Sequence, residues 1–167
     1  MKRLVCTILI ISLMLTLCAC DFFNAGLKEP VTFYYQRTDY QYGVESGVIA
    51  SEEREASGHT GDLSFLITLY LAGPLDEELV SPFPRNTQLL SVQKNQDTIR
   101  VELSDIGDRI TDSQYSLACG CLTLTCLNLT ESTNVTIISG ERTITMNQKS
   151  LLLFDNSTAA IITEDNQ

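Results

Sequence analysis

The stretch Thr98-Ile99-Arg100-Val101-Glu102-Leu103-Ser104, followed after a short loop by Thr111-Asp112-Ser113-Gln114-Tyr115, decides the fold class. Ile99, Val101 and Leu103 alternate with Arg100, Glu102 and Ser104, the pattern of a strand with one buried face. Residues 88–93 read as a strand before it, and the polar turn Lys94-Asn95-Gln96-Asp97 joins the two as a hairpin. Thr111 with Gln114 fits a capping box, so a helix starts there. It places Tyr115, Ala118, Cys119, Leu122, Cys126 and Leu129 on one stripe.

Working outward, residues 31–37 are β-branched and aromatic and predict a strand. Residues 48–55 predict a second strand with a solvated acidic end. Leu63, Leu66, Ile67 and Tyr70 recur at helical spacing, with Thr60 as the expected N-cap and Gly73-Pro74 as the stop. Residues 135–139 are a further strand, and Thr143-Ile144-Thr145-Met146 and Leu151-Leu152-Leu153-Phe154 are candidates to extend the sheet. The order β-β-α-β-β-α-β defines an α+β domain: a small mixed or antiparallel sheet with two helices on one face.

The chain of 167 residues is long enough for one domain and its attachments. A formal charge of −10 excludes a generic nucleic-acid binder. A single histidine, His59, excludes a multi-histidine metal site.

Lys2 and Arg3 precede an apolar run that ends in Leu17-Cys18-Ala19-Cys20. A short basic start and an apolar segment form an export signal. Its end resembles a bacterial lipobox, which implies lipid attachment at Cys20 after removal of residues 1–19. Residues 20–30 are then a short tether, 31–146 the domain, and 147–167 a C-terminal extension of one strand and a polar tail. The alternative is an uncleaved signal anchor, since the run lies at the short edge of the 17–25 residues that span a bilayer. The mature chain keeps 9 basic and all 21 acidic residues, a net of −12. Anionic lipid repels such a domain, so the acyl chains must hold it at the outer face of the cytoplasmic membrane.

Candidate chemistry is sparse. Cys119, Cys121 and Cys126 lie within one predicted helix, where neither a zinc site nor an internal disulfide converges. They read as small apolar core residues, with an intermolecular disulfide through Cys121 as the alternative. Ser57, His59 and Asp62 crowd one loop without a nucleophile elbow and read as loop capping. Glu52-Glu53-Glu55 and Asp76-Glu77-Glu78 lack Ca²⁺-loop spacing and read as solvated charge. Tyr34, Tyr35, Tyr40 and Tyr42 are either core or a recognition face. No catalytic residue, metal ligand or cofactor site is expected.

Several words in this layout carry a resemblance. They are Val31-Thr32-Phe33-Tyr34-Tyr35, Leu69-Tyr70-Leu71-Ala72-Gly73-Pro74, Leu79-Val80-Ser81-Pro82-Phe83-Pro84-Arg85-Asn86-Thr87, Val101-Glu102-Leu103-Ser104 and Val135-Thr136-Ile137-Ile138-Ser139-Gly140. In this order they resemble the GerMN domain family of sporulation and spore-germination proteins. The resemblance implies a fold like the ring-building motifs of secretion systems. It also implies a non-enzymatic envelope module that contacts a protein partner or its own copies. Ala118-Cys119-Gly120-Cys121 departs from the family's second helix, and the stretch after Met146 has no counterpart. The competing readings are a lipoprotein that binds a small solute or wall fragment and, third, an envelope hydrolase.

Overall fold

A computed structural model describes residues 30–39, 47–56 and 58–151. Cys20, Tyr40, Tyr42, Ser57 and the run 152–154 lie outside the described residues. The elements are β1 (Pro30–Arg37), β2 (Ile49–Glu55), α1 (Leu63–Leu71), β3 (Leu79–Val80), β4 (Leu89–Asn95), β5 (Thr98–Leu103), α2 (Asp112–Leu129), β6 (Asn134–Ser139), β7 (Arg142–Asn147) and α3 (Gln148–Leu151). A 3-10 turn, Gly107–Arg109, precedes α2. The α+β class holds, and so does the expected order, except that the two-residue β3 adds a strand in what the sequence reads as a loop.

The strands divide between two sheets, ordered β2-β1-β3 and β4-β5-β6-β7. The first is antiparallel throughout. In the second, β5 and β6 are parallel, and the hairpins β4-β5 and β6-β7 flank them. A parallel pair needs a crossover, and α2 supplies it. The β4-β5 turn is tighter than the sequence predicts: only Gln96 and Asp97 lie outside the strands, and Gln96 takes φ of 50°.

The two-sheet arrangement changes the setting of α2. A helix on one face of a single sheet would bury one stripe. Here the expected Tyr115, Ala118, Cys119, Leu122 and Cys126 are buried, and so are Gly120, Cys121, Thr123 and Thr125. The helix packs against β1 on one side and against β6 and β7 on the other. Its glycine, alanine, cysteine and threonine side chains are small enough for neighbours to approach all round. Leu129 is half-buried against this core.

β3 pairs with β1 only at Gln36 and Arg37. The rest of that edge of β1 runs beside α2, where the Tyr34 N–H donates to Thr125 Oγ1 at 2.9 Å. A buried threonine thus takes up a backbone donor that no strand reaches.

The chain path gives the domain two unlike ends. Gln36 lies with Ile110 and Gln114 at the start of α2, whereas Tyr34 lies with Leu127 and Asn128 near its finish. β1 and α2 therefore run in opposite directions. Asn134 pairs with Asn147 where β6 starts and β7 stops, just beyond α2. The domain is entered at Pro30 and left at Gln148 from the same end. Residue 151, the first of the expected strand 151–154, closes the four-residue α3.

Candidate functional site

The opposite end holds most of the motif residues. They surround an open groove of about 930 Å³ whose walls include Leu71, Gly73, Val80, Phe83, Arg85 and Asn86. Each wall has a local cause.

The first wall is the end of α1. Asp62 caps the start of that helix by accepting from the Phe65 N–H at 3.0 Å, so the cap is Asp62 and not Thr60. His59 stacks on Phe65 with ring centroids 4.3 Å apart. His59 and Asp62 therefore act as loop and cap groups, as expected from sequence. At the other end, Gly73 takes φ of 99°, a left-handed conformation suited to glycine. The last turn of α1 has no basic residue of its own to meet its free carbonyls. Arg54 of β2 supplies one. It donates to Leu69 O at 3.4 Å and to Gly73 O.

Arg54 is the main correction to the sequence reading. The end of β2 is not wholly solvated: Arg54 and Ala56 are buried. The Arg54 guanidinium lies 5.6 Å from the Phe33 ring centroid and 5.9 Å from that of Tyr35, a cation–π arrangement. Its Nε pairs with Glu52 Oε1 at 3.0 Å, and the two side chains are only 6% and 9% exposed. Glu52 also accepts from the Leu75 N–H, with both oxygens at 3.1 Å. Glu52 is thus a structural ion-pair partner, while Glu53 and Glu55 are exposed. Asp76, Glu77 and Glu78 are exposed as predicted.

The second wall is the loop after β3. Ser81 Oγ accepts from the Phe83 N–H at 3.3 Å. Thr87 Oγ1 donates to Pro84 O at 2.7 Å. Phe83 points inward and meets Tyr70 edge-on at 6.3 Å. Tyr70 stacks on Tyr35 at 4.8 Å, and Tyr35 Oη donates to Tyr70 O at 3.0 Å. Burial pushes both phenols well above their usual range. Tyr35 is therefore core, while Tyr34 on the other face is half-buried.

Gln88 and Leu89 complete the lining, and Gln88 is bonded to the junction of β4, β5 and β6. Ser104 N–H donates to Gln88 O at 2.8 Å, and Gln88 N–H returns a bond to Ser104 Oγ at 3.0 Å. Ser139 Oγ donates to Ser104 O at 2.9 Å and accepts from the Ile106 N–H at 3.1 Å. Gly140 follows with φ of 58°, and a Cβ there would lie 2.7 Å from the Asp105 carboxylate. Only glycine fits both conditions. Arg109 ties this junction to the loop by donating to Arg85 O at 3.0 Å and Asp105 O at 3.1 Å.

A family model described as "Germane: Sporulation and spore germination" matches residues 32–144. The chain belongs to the Germane family. Every residue of the motif words except Val31 lies within that match, and the family expected from sequence is the one found. A solved structure of a Clostridium perfringens protein, provisionally described as a lipoprotein, is similar at 14% identity and a TM-score of 0.47. The match covers 78% of this chain and 95% of that one. The tandem GerMN domains of the sporulation protein GerM from Bacillus subtilis are similar at 18% identity and a TM-score of 0.48. That match covers 71% of this chain and 43% of that one, so this Germane chain spans less than half of the tandem protein. No curated protein matches.

The groove's described lining has one ionisable side chain, Arg85, among apolar, amide and hydroxyl groups. Cys119, Cys121 and Cys126 lie elsewhere, free and buried in α2. Burial pushes each thiol up to about 12. Cys121 presents no surface thiol for a link to another molecule. Among the described residues, no three His, Cys, Asp or Glu side chains gather as a metal site.

Proposed function

We propose that the protein is a lipid-anchored envelope module with one Germane domain, acting in sporulation or spore germination by holding a protein partner. Cys20 carries the diacylglycerol, and residues 20–30 tether the domain to the outer face of the cytoplasmic membrane. Because the chain enters at Pro30, the motif groove sits at the end remote from the lipid. The module is non-catalytic in this reading. The observation that supports it most is the groove itself: an open surface with backbone-capped walls and a single ionisable side chain.

The test is recovery of partners from membranes of spore-forming cells after cross-linking. Val80 lines the groove and is partly exposed, so Val80→Asp should release the partner while the domain stays folded. Equal recovery by both proteins, or expression confined to vegetative growth, would sink the proposal. Saturable muropeptide binding abolished by Val80→Asp would favour the wall-fragment reading instead. Globomycin should block processing, and Cys20→Ala should stop lipid labelling.

A further inference from the structure

Resting on the reading of the motif groove as the seat of a protein partner, we infer that the partner segment it receives is basic. Apolar residues of that segment cover Leu75 and Val80, and a lysine or arginine between them faces Asp76, Glu77 and Glu78. The groove, at about 930 Å³, is on the scale of pockets that enclose a drug-sized molecule. It has room for a few residues of another chain.

The apolar part of the argument comes from exposure. Among the described residues the exposed large hydrophobic side chains are Phe65, Leu75, Val80 and Leu90. Phe65 is covered on one side by the His59 ring, and Leu90 lies on β4. Leu75 is 79% exposed, the most of the four, and directly follows the wall residue Pro74. Val80 stands in the wall itself. The Leu75 N–H is held at 3.1 Å by both oxygens of Glu52, a member of the buried ion pair. A leucine side chain is thus projected into water from a fixed point. A group fixed beforehand loses little freedom on binding, so covering it contributes to affinity.

The charge comes from the turn between Leu75 and Val80. Asp76, Glu77 and Glu78 are all exposed. Asp76 Oδ1 accepts from the Glu78 N–H at 2.8 Å, and Asp76 O accepts from the Leu79 N–H at 3.1 Å. Glu78 O accepts from the Thr38 N–H and from Thr38 Oγ1, both at 2.9 Å. These bonds fix the turn and leave the Glu77 and Glu78 carboxylates without an ion pair among the described residues. Arg37 feels the charge of Glu78, but its Nε is paired with Asp39 at 3.1 Å. Arg85 on the other wall is the one cation of the described lining, and it suits a carbonyl or carboxylate oxygen of the same segment. Three carboxylates against one guanidinium leave the rim negative. A second copy of this chain is disfavoured as occupant, because it brings the same acidic turn and a mature net charge of −12. A basic segment is attracted by both the turn and the whole domain.

The test uses the full lipidated chain in membranes of spore-forming cells, with a photo-reactive phenylalanine in place of Leu75. Mass spectrometry of the cross-linked peptide should find a lysine or arginine within about three residues of the trapped position, in agreement with the reach of the turn. Glu77→Gln with Glu78→Gln should lower the cross-linked yield about tenfold, and added salt should lower it in the unsubstituted turn. Asp97→Asn with Glu131→Gln removes the same charge at the tethered end and should leave the yield unchanged. A trapped segment without a basic residue, or equal yields from the two double variants, would overturn the inference. The groove itself is judged separately by Val80→Asp: if that variant still releases the partner, only the basic character of the segment is lost. If it does not, the reading of the groove falls as well.

Discussion

In the four-stranded sheet the inner face is aliphatic. Ile99, Val101 and Leu103 of β5 and Val135 and Ile137 of β6 are all fully buried. In the three-stranded sheet the inner face is aromatic and built around a charge: Phe33 and Tyr35 flank Arg54, which Glu52 neutralises. The first arrangement needs only complementary shape. The second needs every donor and acceptor in place, because a charge withdrawn from water is tolerated only when it is paired. The aliphatic sheet should therefore lose stability in proportion to what is removed, and the charged one should fail abruptly.

The largest effect should come from Arg54→Ala. It strips the free carbonyls of α1 of their donor and leaves Glu52 buried without a cation. Breaking a buried pair from one side costs about 3–5 kcal/mol. For a domain of this size that lowers the thermal midpoint by roughly 10–20 °C. Arg54→Met with Glu52→Gln should recover part of the loss, since no uncompensated charge then remains. Equal loss in single and double variants would show that packing on the rings, and not the pair, carries the site.

Next is Ile137→Ala in the aliphatic sheet. A deleted aliphatic side chain leaves a cavity, and the cost is about 2–5 kcal/mol. Ile137→Val should cost about 0.5–1.5 kcal/mol in the same urea titration. A graded pair of midpoints sharpens the contrast. An Ile137→Val loss as large as that of Ile137→Ala would break it.

The two sheets also differ in how far the sequence reveals them. The β5 alternation, the Thr111–Gln114 capping box and the Gly73-Pro74 stop are local patterns, and the structure uses each as read. The division into two sheets is not local. It depends on which strand reaches which edge, and the two-residue β3 leaves no periodic trace. Arg54 sits in Ser51-Glu52-Glu53-Arg54-Glu55, a run whose composition looks solvated. Strand alternation does put Glu52, Arg54 and Ala56 on one side, and that was the available signal. It is weak because charged residues on an inner face run against the usual pattern. The groove was half legible. Its motif words are visible as words, but their convergence at one end requires the pairing of Gln36 with Val80 and the Gln88–Ser104 bonds.

Between the sheets, α2 allows a comparison by pH. Cys119, Cys121 and Cys126 are raised from an ordinary value of 9.0 to about 12, with burial as the leading cause. Below pH 9 the thiols are protonated in both states, and the stabilisation from burying them neutral is fully present. Above pH 9 the unfolded chain loses protons that the folded chain keeps. Stability should then fall with rising pH by up to about 1.4 kcal/mol per unit for each thiol, until about pH 12. Denaturant midpoints between pH 8 and 9.5, below the range where the buried Tyr35, Tyr70 and Tyr115 phenols add their own dependence, should show this slope, and Cys121→Ala should reduce it by about a third. A flat profile would mean that the thiols reach water, and that α2 is less enclosed than the two sheets make it.

The smallest effect tests whether α1 depends on its own cap or on the arginine at its far end. Asp62→Ala removes the acceptor for the Phe65 N–H and should cost about 1 kcal/mol. Asp62→Asn keeps an acceptor and should cost less. The carbonyl end is held from β2, so exchange of the Ala72 and Gly73 amides should be unchanged in Asp62→Ala and strongly accelerated in Arg54→Ala. If loss of Asp62 also released Ala72 and Gly73, the helix would be fraying as one unit. The three-stranded sheet would then owe its abrupt failure to α1 as a whole and not to the buried charge.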